Sequence, residues 1–448
     1  MPALSVHSGT NKPMMPAMKC LMTMDCPCPD CVASMAAFST LAVEPSADAA
    51  APDVPPADAS QFTIAAHPLD GSDGGENILG GIYTALAAYL LQSPDWRRLD
   101  RQNELDIEGR EAPDLILGGN KAKRVNWERL GWSGVRPLVN FYRGTELLER
   151  KAELAESLRL YCAKAGLDAE AVAPATFVFA PGSRKVPAQR AALLAAVASA
   201  EADGQRLWIA KGSESNCAKH IEVLGGAAGV EVFVDGLAAA DGVWVVQRYV
   251  ENPLLVVGGR KFDIRVWVLL TAEYKVKLYR EGVIRTASTK YDPADIGNRE
   301  SHLTNHCVAV QSANYGKYEP TNEMWFDEFD AWVASQHPGK SFMADCLPQI
   351  KQLTMHTLLS VKERLANSES AGFTSFCIFG FDYMIDDNLR VQLLEVNQSP
   401  ACADELREAF VEDLAEEVIQ PRFAYEMPAE GRRGSGKFRR GFEELSLE

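Results

Sequence analysis

Apolar and polar positions alternate along two stretches of this chain in a way that surface strands rarely show. From Lys261 the run KFDIRVWVLL puts Lys261, Asp263 and Arg265 on one face and Phe262, Ile264 and Val266 on the other. The run continues into Trp267, Val268, Leu269 and Leu270, so the three charges sit in a buried element and read as a functional face. The second stretch, residues 378–400, is IFGFDYMIDDNLRVQLLEVNQSP, two apolar runs around Asp386-Asp387-Asn388 and hence a β-hairpin. With Asp387-Asn388 as a two-residue turn, Asp382 lies across from Leu393, and Asp382, Leu393, Glu395 and Asn397 share a face. Two carboxylates and an amide between Phe379, Phe381, Leu394 and Val396 are too many acceptors to bury without a cation. Hard oxygen ligands suit Mg²⁺, which usually bridges to phosphates.

The same periods lay out the rest. Residues 43–60 are rich in Ala, Pro and Asp, so 1–60 are expected to be a disordered tail. Strands at 61–67, 115–117 and 138–141 with helices at 80–91 and 145–163 predict a small N-terminal α/β domain over 61–165. Residues 166–245 carry a strand at 176–180, an Ala-rich helix at 188–202 and a strand ending at Lys211, before the polar loop GSESNCAKH. A strand-end ammonium followed by loop amides suits phosphates. Residues 246–425 hold the charged strand, a hairpin of 276–279 with 283–285 around Arg280-Glu281-Gly282, helices at 324–333, 347–365 and 403–418, and the acidic hairpin. The Gly-rich basic residues 426–448 are expected to be a flexible tail. The fold class is α/β (α+β).

Composition then narrows the function. Hydrophobic content of 47% and charged content of 24% are ordinary for a soluble protein of 448 residues. A net charge of −16 argues against nucleic acid as partner. No run reaches the roughly 18 apolar residues of a membrane span. The ten cysteines show no disulfide framework; Cys20, Cys26, Cys28 and Cys31 match no common zinc spacing. A local basic cluster survives the acidic average: Lys121, Lys123, Arg124 and Arg129 around Trp127, with Arg97, Arg98 and Arg101 upstream. It reads as a guide for an acidic polypeptide, acting mostly on association rate.

Lys261-Phe262-Asp263-Ile264-Arg265, HLTN at 302–305 and FGFDYMID…LLEVNQSPA at 379–401 together resemble the tubulin–tyrosine-ligase-like family of ATP-grasp enzymes. The likeness runs from about residue 62 to 423. Residues 138–154, 303–307, 314–324 and 400–406 are similar to the tyrosine-adding branch, whereas Ser399 is like the polymodifying branches and the loop after Lys211 has only Gly212. The resemblance implies an ATP-grasp fold with an additional small N-terminal α/β domain. It also implies ligation of free tyrosine to the C-terminal glutamate of detyrosinated α-tubulin through an acyl phosphate. The alternatives are glutamate or glycine ligation and an inactive tubulin-binding module. ATP and Mg²⁺ are the implied cofactors, with K⁺ as a further cation; the implied partner is α/β-tubulin through its acidic tail, in the cytoplasm on microtubules. By motif position, Lys211 and Lys261 meet phosphates, Gln247, Arg248 and Tyr249 face adenine, and Asp263 approaches the ribose. Thr304 and Asn305 lie near the terminal phosphate, and Lys151 closes over the nucleotide. Asp382, Glu395 and Asn397 bind Mg²⁺, and Arg265 and Arg285 hold the acceptor carboxylate at the reacting centre.

Overall fold

The computed structural model describes residues 61–66, 81–99, 113–118, 136–215, 218–365, 372–428 and 437–447. Its strands in chain order are β1 (Phe62–Ala66), β2 (Trp96–Arg98), β3 (Leu115–Leu117), β4 (Leu138–Val139), β5 (Thr176–Phe179), β6 (Leu207–Gly212), β7 (Ile221–Gly225) and β8 (Trp244–Arg248). They continue with β9 (Arg260–Leu270), β10 (Val276–Lys290), β11 (Glu323–Trp325), β12 (Thr374–Ser375), β13 (Cys377–Ile385), β14 (Val391–Gln398) and β15 (Phe442–Glu444). Among the described residues they form three sheets. A parallel sheet is ordered β12-β4-β3-β1-β2, an antiparallel sheet β5-β8-β6-β7, and a large antiparallel sheet β11-β10-β9-β13-β14, with β15 on the β10 edge.

The large sheet organises everything else, and its two faces differ. One carries Phe262, Ile264, Val266, Val268, Phe379, Phe381 and Tyr383 into a core with helices α2 (Lys151–Ala165), α5 (Phe326–Gln336) and α6 (Leu347–Leu359). Each of these side chains is almost wholly buried, worth about 1.5–3 kcal/mol of transfer free energy apiece. The other face is divided along its length. Trp267, Leu269, Tyr279, Val283 and Ile378 enter a second core with α1 (Ile82–Leu90), α7 (Asp404–Leu414) and strands of the parallel sheet. Lys261, Asp263, Arg265 and Asp382, further along the same face, stay polar. The β5–β8 sheet has its own core against α3 (Val186–Ala202) and α4 (Gly226–Gly236).

Four elements differ from expectation for identifiable reasons. Residues 276–290 are one strand, not a hairpin: Arg280-Glu281-Gly282 form a bulge on β10, where the buried Glu281 accepts from the amides of Gly282, Phe326 and Arg439. The helix expected over 145–163 breaks at Arg150, whose φ −84, ψ 125 is extended, so α2 starts at Lys151. The β13–β14 turn spans 386–390, with Leu389 at φ 61, and a bulge shifts the register. Asp382 therefore faces Glu395 while Tyr383 faces Leu393, and Leu393 belongs to the core rather than to the acidic face. Finally, residues 437–447 are docked. Phe442 packs on Tyr279 and Phe410, and Arg440 pairs with Glu412 and Asp413.

Candidate active site

The polar half of the large sheet is the floor of a cleft whose opposite wall is β6 and β8. Lys211, Lys261, Gln247, Asp263, Asp382 and Glu395 all line it, with Arg248, Tyr249, Thr304 and Asn305 around them. Alternation in β6 and β9 aims the two lysines inward, and both are buried. Among the described residues neither forms an ion pair. Lys211 donates to Gln247 Oε1 at 2.8 Å, and Gln247 is braced by donating from Nε2 to Thr176 Oγ1 at 2.9 Å. Lys261 donates to the Tyr249 hydroxyl at 2.6 Å and lies over the Tyr249 ring, 4.0 Å from its centroid.

Burial is the main reason both ammonium groups are easily deprotonated. It takes Lys211 down to about 8 against partial support from Glu395. It takes Lys261 down to about 7, with Lys211 itself adding to the depression. Two buried lysines with no direct ion pair among the described residues, facing one cleft, are a site for a polyanion.

His302, the first residue of HLTN, is a member that sequence reading passed over. Lys261 can only donate, so the Tyr249 hydroxyl accepts from it and gives its own hydrogen to His302 Nδ1 at 2.7 Å. That assigns the remaining proton to His302 Nε2, which donates to the Asp295 carbonyl at 3.1 Å. The chain aims the Lys261 ammonium. Its signal was the motif itself, in which only Thr304 and Asn305 had been given roles.

At the centre of the floor the charges pair across strands. Arg265 donates from Nε and Nη2 to Asp382, the latter at 2.8 Å; Arg285 does the same to Asp263 at 2.6 and 2.8 Å and also reaches Asp382 Oδ2 at 2.9 Å. Burial pushes the Asp382 carboxyl up, but the two guanidinium groups outweigh it and hold it well below the carboxylate range. Asp263 also accepts from Thr304 Oγ1 at 2.6 Å. It thus brackets Arg285 and Thr304 while lining the cleft. Among the described residues each guanidinium spends one edge on an aspartate and leaves Nη1 without a hydrogen bond. Gly380 makes this possible: a Cβ there would lie 2.7 Å from Pro400 Cβ and 3.1 Å from Arg265 Cδ.

The metal-ligand candidates converge at the cleft's other side. Asn397 Nδ2 is 3.3 Å from both Asp382 Oδ2 and Glu395 Oε1. Lys151 Nζ lies 3.5 Å from Glu395 Oε2 and donates to the Ser215 carbonyl at 3.0 Å. The break at Arg150 puts Lys151 there, and Ser213 ties the loop to α2 through the amides of Lys151 and Ala152. Gly212 lets this loop fold tightly, since a Cβ there would displace the Ser215 hydroxyl, 2.5 Å away. Among the described residues no three His, Cys, Asp or Glu side chains gather as a metal centre. Of the basic guide, Arg98 is exposed and Arg97 half-buried on β2; Lys121, Lys123 and Arg124 lie outside the described residues, as do the four N-terminal cysteines. No described helix is long and apolar enough to cross a membrane.

A mixed α+β fold whose antiparallel sheet and smaller β-sheet lobe enclose a cationic cleft is an ATP-grasp architecture. A sequence model of the tubulin-tyrosine ligase family matches residues 136–433, and the chain belongs to that family. It is 29% identical to "Probable tubulin polyglutamylase TTLL2" of Homo sapiens over 331 residues, 71% of this chain and 50% of the relative. It is 29% identical to "Tubulin glycylase 3C" of Tetrahymena thermophila over 201 residues, 43% of this chain and 18% of the relative. Against "Probable tubulin polyglutamylase TTLL9" of Bos taurus the figures are 34% over 161 residues, 35% and 33%. The chain thus spans half or less of the length of these curated relatives. None of the three is named as a tyrosine ligase.

Proposed function

We propose that this chain is an ATP-dependent ligase that adds glutamate or glycine to a carboxylate of a tubulin tail. The observation that carries the reading is the pair of buried lysines with no direct ion pair among the described residues, set across one cleft from two carboxylates and an amide. The names of the relatives turn the amino acid away from the tyrosine that the resemblance first implied, and Ser399 agrees with them. Inactivity is disfavoured because every position at the cleft carries a chemically competent side chain.

Lys211 and Lys261 hold polyphosphate oxygens, Lys151 closes from α2, and Gln247 to Tyr249 line the base. Asp382, Glu395 and Asn397 fit Mg²⁺, as two carboxylates and an amide already within hydrogen-bonding reach of one another; the ion supplies charge neutralisation on phosphate oxygens. The acceptor carboxylate lies against the open Nη1 edges of Arg265 and Arg285, whose planar forks suit it. Those same donors then stabilise the oxyanion that forms when the amine attacks. The tail is acidic, so Arg97, Arg98 and the 121–124 cluster guide it.

Purified protein incubated with ATP, Mg²⁺, tubulin and each labelled amino acid is expected to incorporate glutamate or glycine above tyrosine. Preferential tyrosine incorporation would restore the first expectation, and no incorporation of any amino acid would leave the inactive binding module. A second expected result concerns protons. Polyphosphate favours the charged lysines, so nucleotide binding takes up protons where the free groups are part-neutral, and affinity falls as pH rises through about 7 and about 8. Calorimetry in buffers of different ionisation enthalpy reads this directly; binding without proton uptake near pH 8 would contradict it.

A further inference from the structure

When an ammonium is to attack an activated acid, some group must receive its proton. Glu323 stands where that group is needed. It pairs directly with Arg285 across β11 and β10 and so projects from the same face of the sheet. Among the described residues it forms no ion pair, and its side-chain hydrogen bond is a long one, 3.3 Å from Thr321 Oγ1. Burial raises its carboxyl from the usual range; Thr321, Arg285 and Arg265 pull the other way, and Glu405 adds to the rise.

The backbone that delivers Glu323 is strained. Thr321 has φ 59, ψ 10 and Asn322 has φ 55, two successive non-glycine residues in the left-handed region. The surroundings over-determine them. Buried Asn322 donates to the Thr286 carbonyl at 3.0 Å and to Ser288 Oγ at 3.2 Å and accepts from the Gly316 amide at 2.7 Å. Arg260, fully buried, anchors Glu319 just upstream. Strained positions of this kind cluster at functional sites, and these two lead directly into β11 and Glu323. Asp263 and Asp382 also face Arg285 but are held by guanidinium groups, and His306, nearby, is exposed and stacks edge-on against Tyr315.

We infer that Glu323 binds the α-ammonium of the incoming amino acid and accepts its proton as the nitrogen attacks. The step balances. One ammonium proton passes to the Glu323 carboxylate and the freed lone pair forms the C–N bond to the acyl carbon. The C–O bond to the phosphoryl group breaks as the tetrahedral intermediate collapses, and the second nitrogen proton leaves with the departing inorganic phosphate. Arg285, one strand away, keeps the acid's oxygen while Glu323 holds the base's nitrogen. This inference rests on the ligase reading.

The test separates the two half-reactions. Hydroxylamine is neutral near pH 7 and traps an acyl phosphate as a hydroxamate without help from a base. Glu323→Gln protein, given ATP, Mg²⁺ and an α-tubulin tail peptide, is expected to form hydroxamate at close to the wild-type rate. Its ligation of glutamate or glycine should fall by about 100-fold or more, the usual size of a lost acid–base contribution. Near-normal hydroxamate formation also certifies the fold. Unchanged ligation, or equal loss of both reactions, would overturn the role of Glu323. Wild-type protein that forms no hydroxamate would overturn the ligase reading itself.

Discussion

Glu395→Gln protein is expected to have no measurable ligase turnover while melting at nearly the wild-type temperature. Glu395 is partly exposed to the cleft, and its packing role is small; what it supplies is charge. The substitution keeps the shape and one oxygen but removes the anion that a divalent cation requires, and it leaves Lys151 facing a neutral amide. Phosphoryl transfer depends almost wholly on positioning and charge neutralisation, so the loss falls on kcat. The informative measurement is nucleotide affinity with and without Mg²⁺. Wild-type protein should bind ATP much more tightly with the metal present, and the variant should lose most of that difference. Wild-type-like ligation by the variant would remove Glu395, and with it the metal assignment, from the mechanism.

The second large effect is expected for Arg265→Lys. The charge remains, but a single ammonium cannot replace the two-pronged contact with Asp382 or offer a second edge to substrate. Loss of a preorganised donor to a developing oxyanion typically costs about 10²–10³ in kcat. A stability cost is expected too, because Asp382 is 1% exposed and retains only Arg285 and the loose Asn397 contact as partners. Arg285 limits that cost by reaching Asp382 at 2.9 Å. The combination predicted is thus a modest fall in melting temperature with a large fall in kcat. Unchanged kcat together with an unchanged KM for the acceptor would count against the role assigned to Arg265.

The two predictions concern different sides of one aspartate. Glu395 lies opposite Asp382 on β14, and Arg265 lies opposite it on β9. Asp382 thereby joins the proposed cation side to the proposed acceptor side across three adjacent strands, about 4.8 Å apart each. Glu323 extends the same face to its far edge beyond Arg285. Metal, phosphate, acceptor and amine would then be ordered across the sheet, strand by strand. Such an ordering would call for a wide antiparallel sheet and not a single loop.

Much of this was legible in the chain before any coordinates. Period-two alternation around Lys261, Asp263 and Arg265 dictated which side chains share a face, because successive Cβ atoms in a strand point opposite ways. The same rule brought Asp382, Glu395 and Asn397 together. It failed for Leu393, since a bulge adds a residue to one strand without leaving any mark in the hydrophobic pattern. Tertiary structure alone decided the pairing of Asp263 with Arg285, the Lys261–Tyr249–His302 chain and the aim of Glu323. Each depends on residues 12 to 53 positions apart in sequence, or on a backbone twist at Thr321 and Asn322 that its neighbours impose. Local sequence sets the direction of a side chain relative to its own strand; only packing sets what it meets.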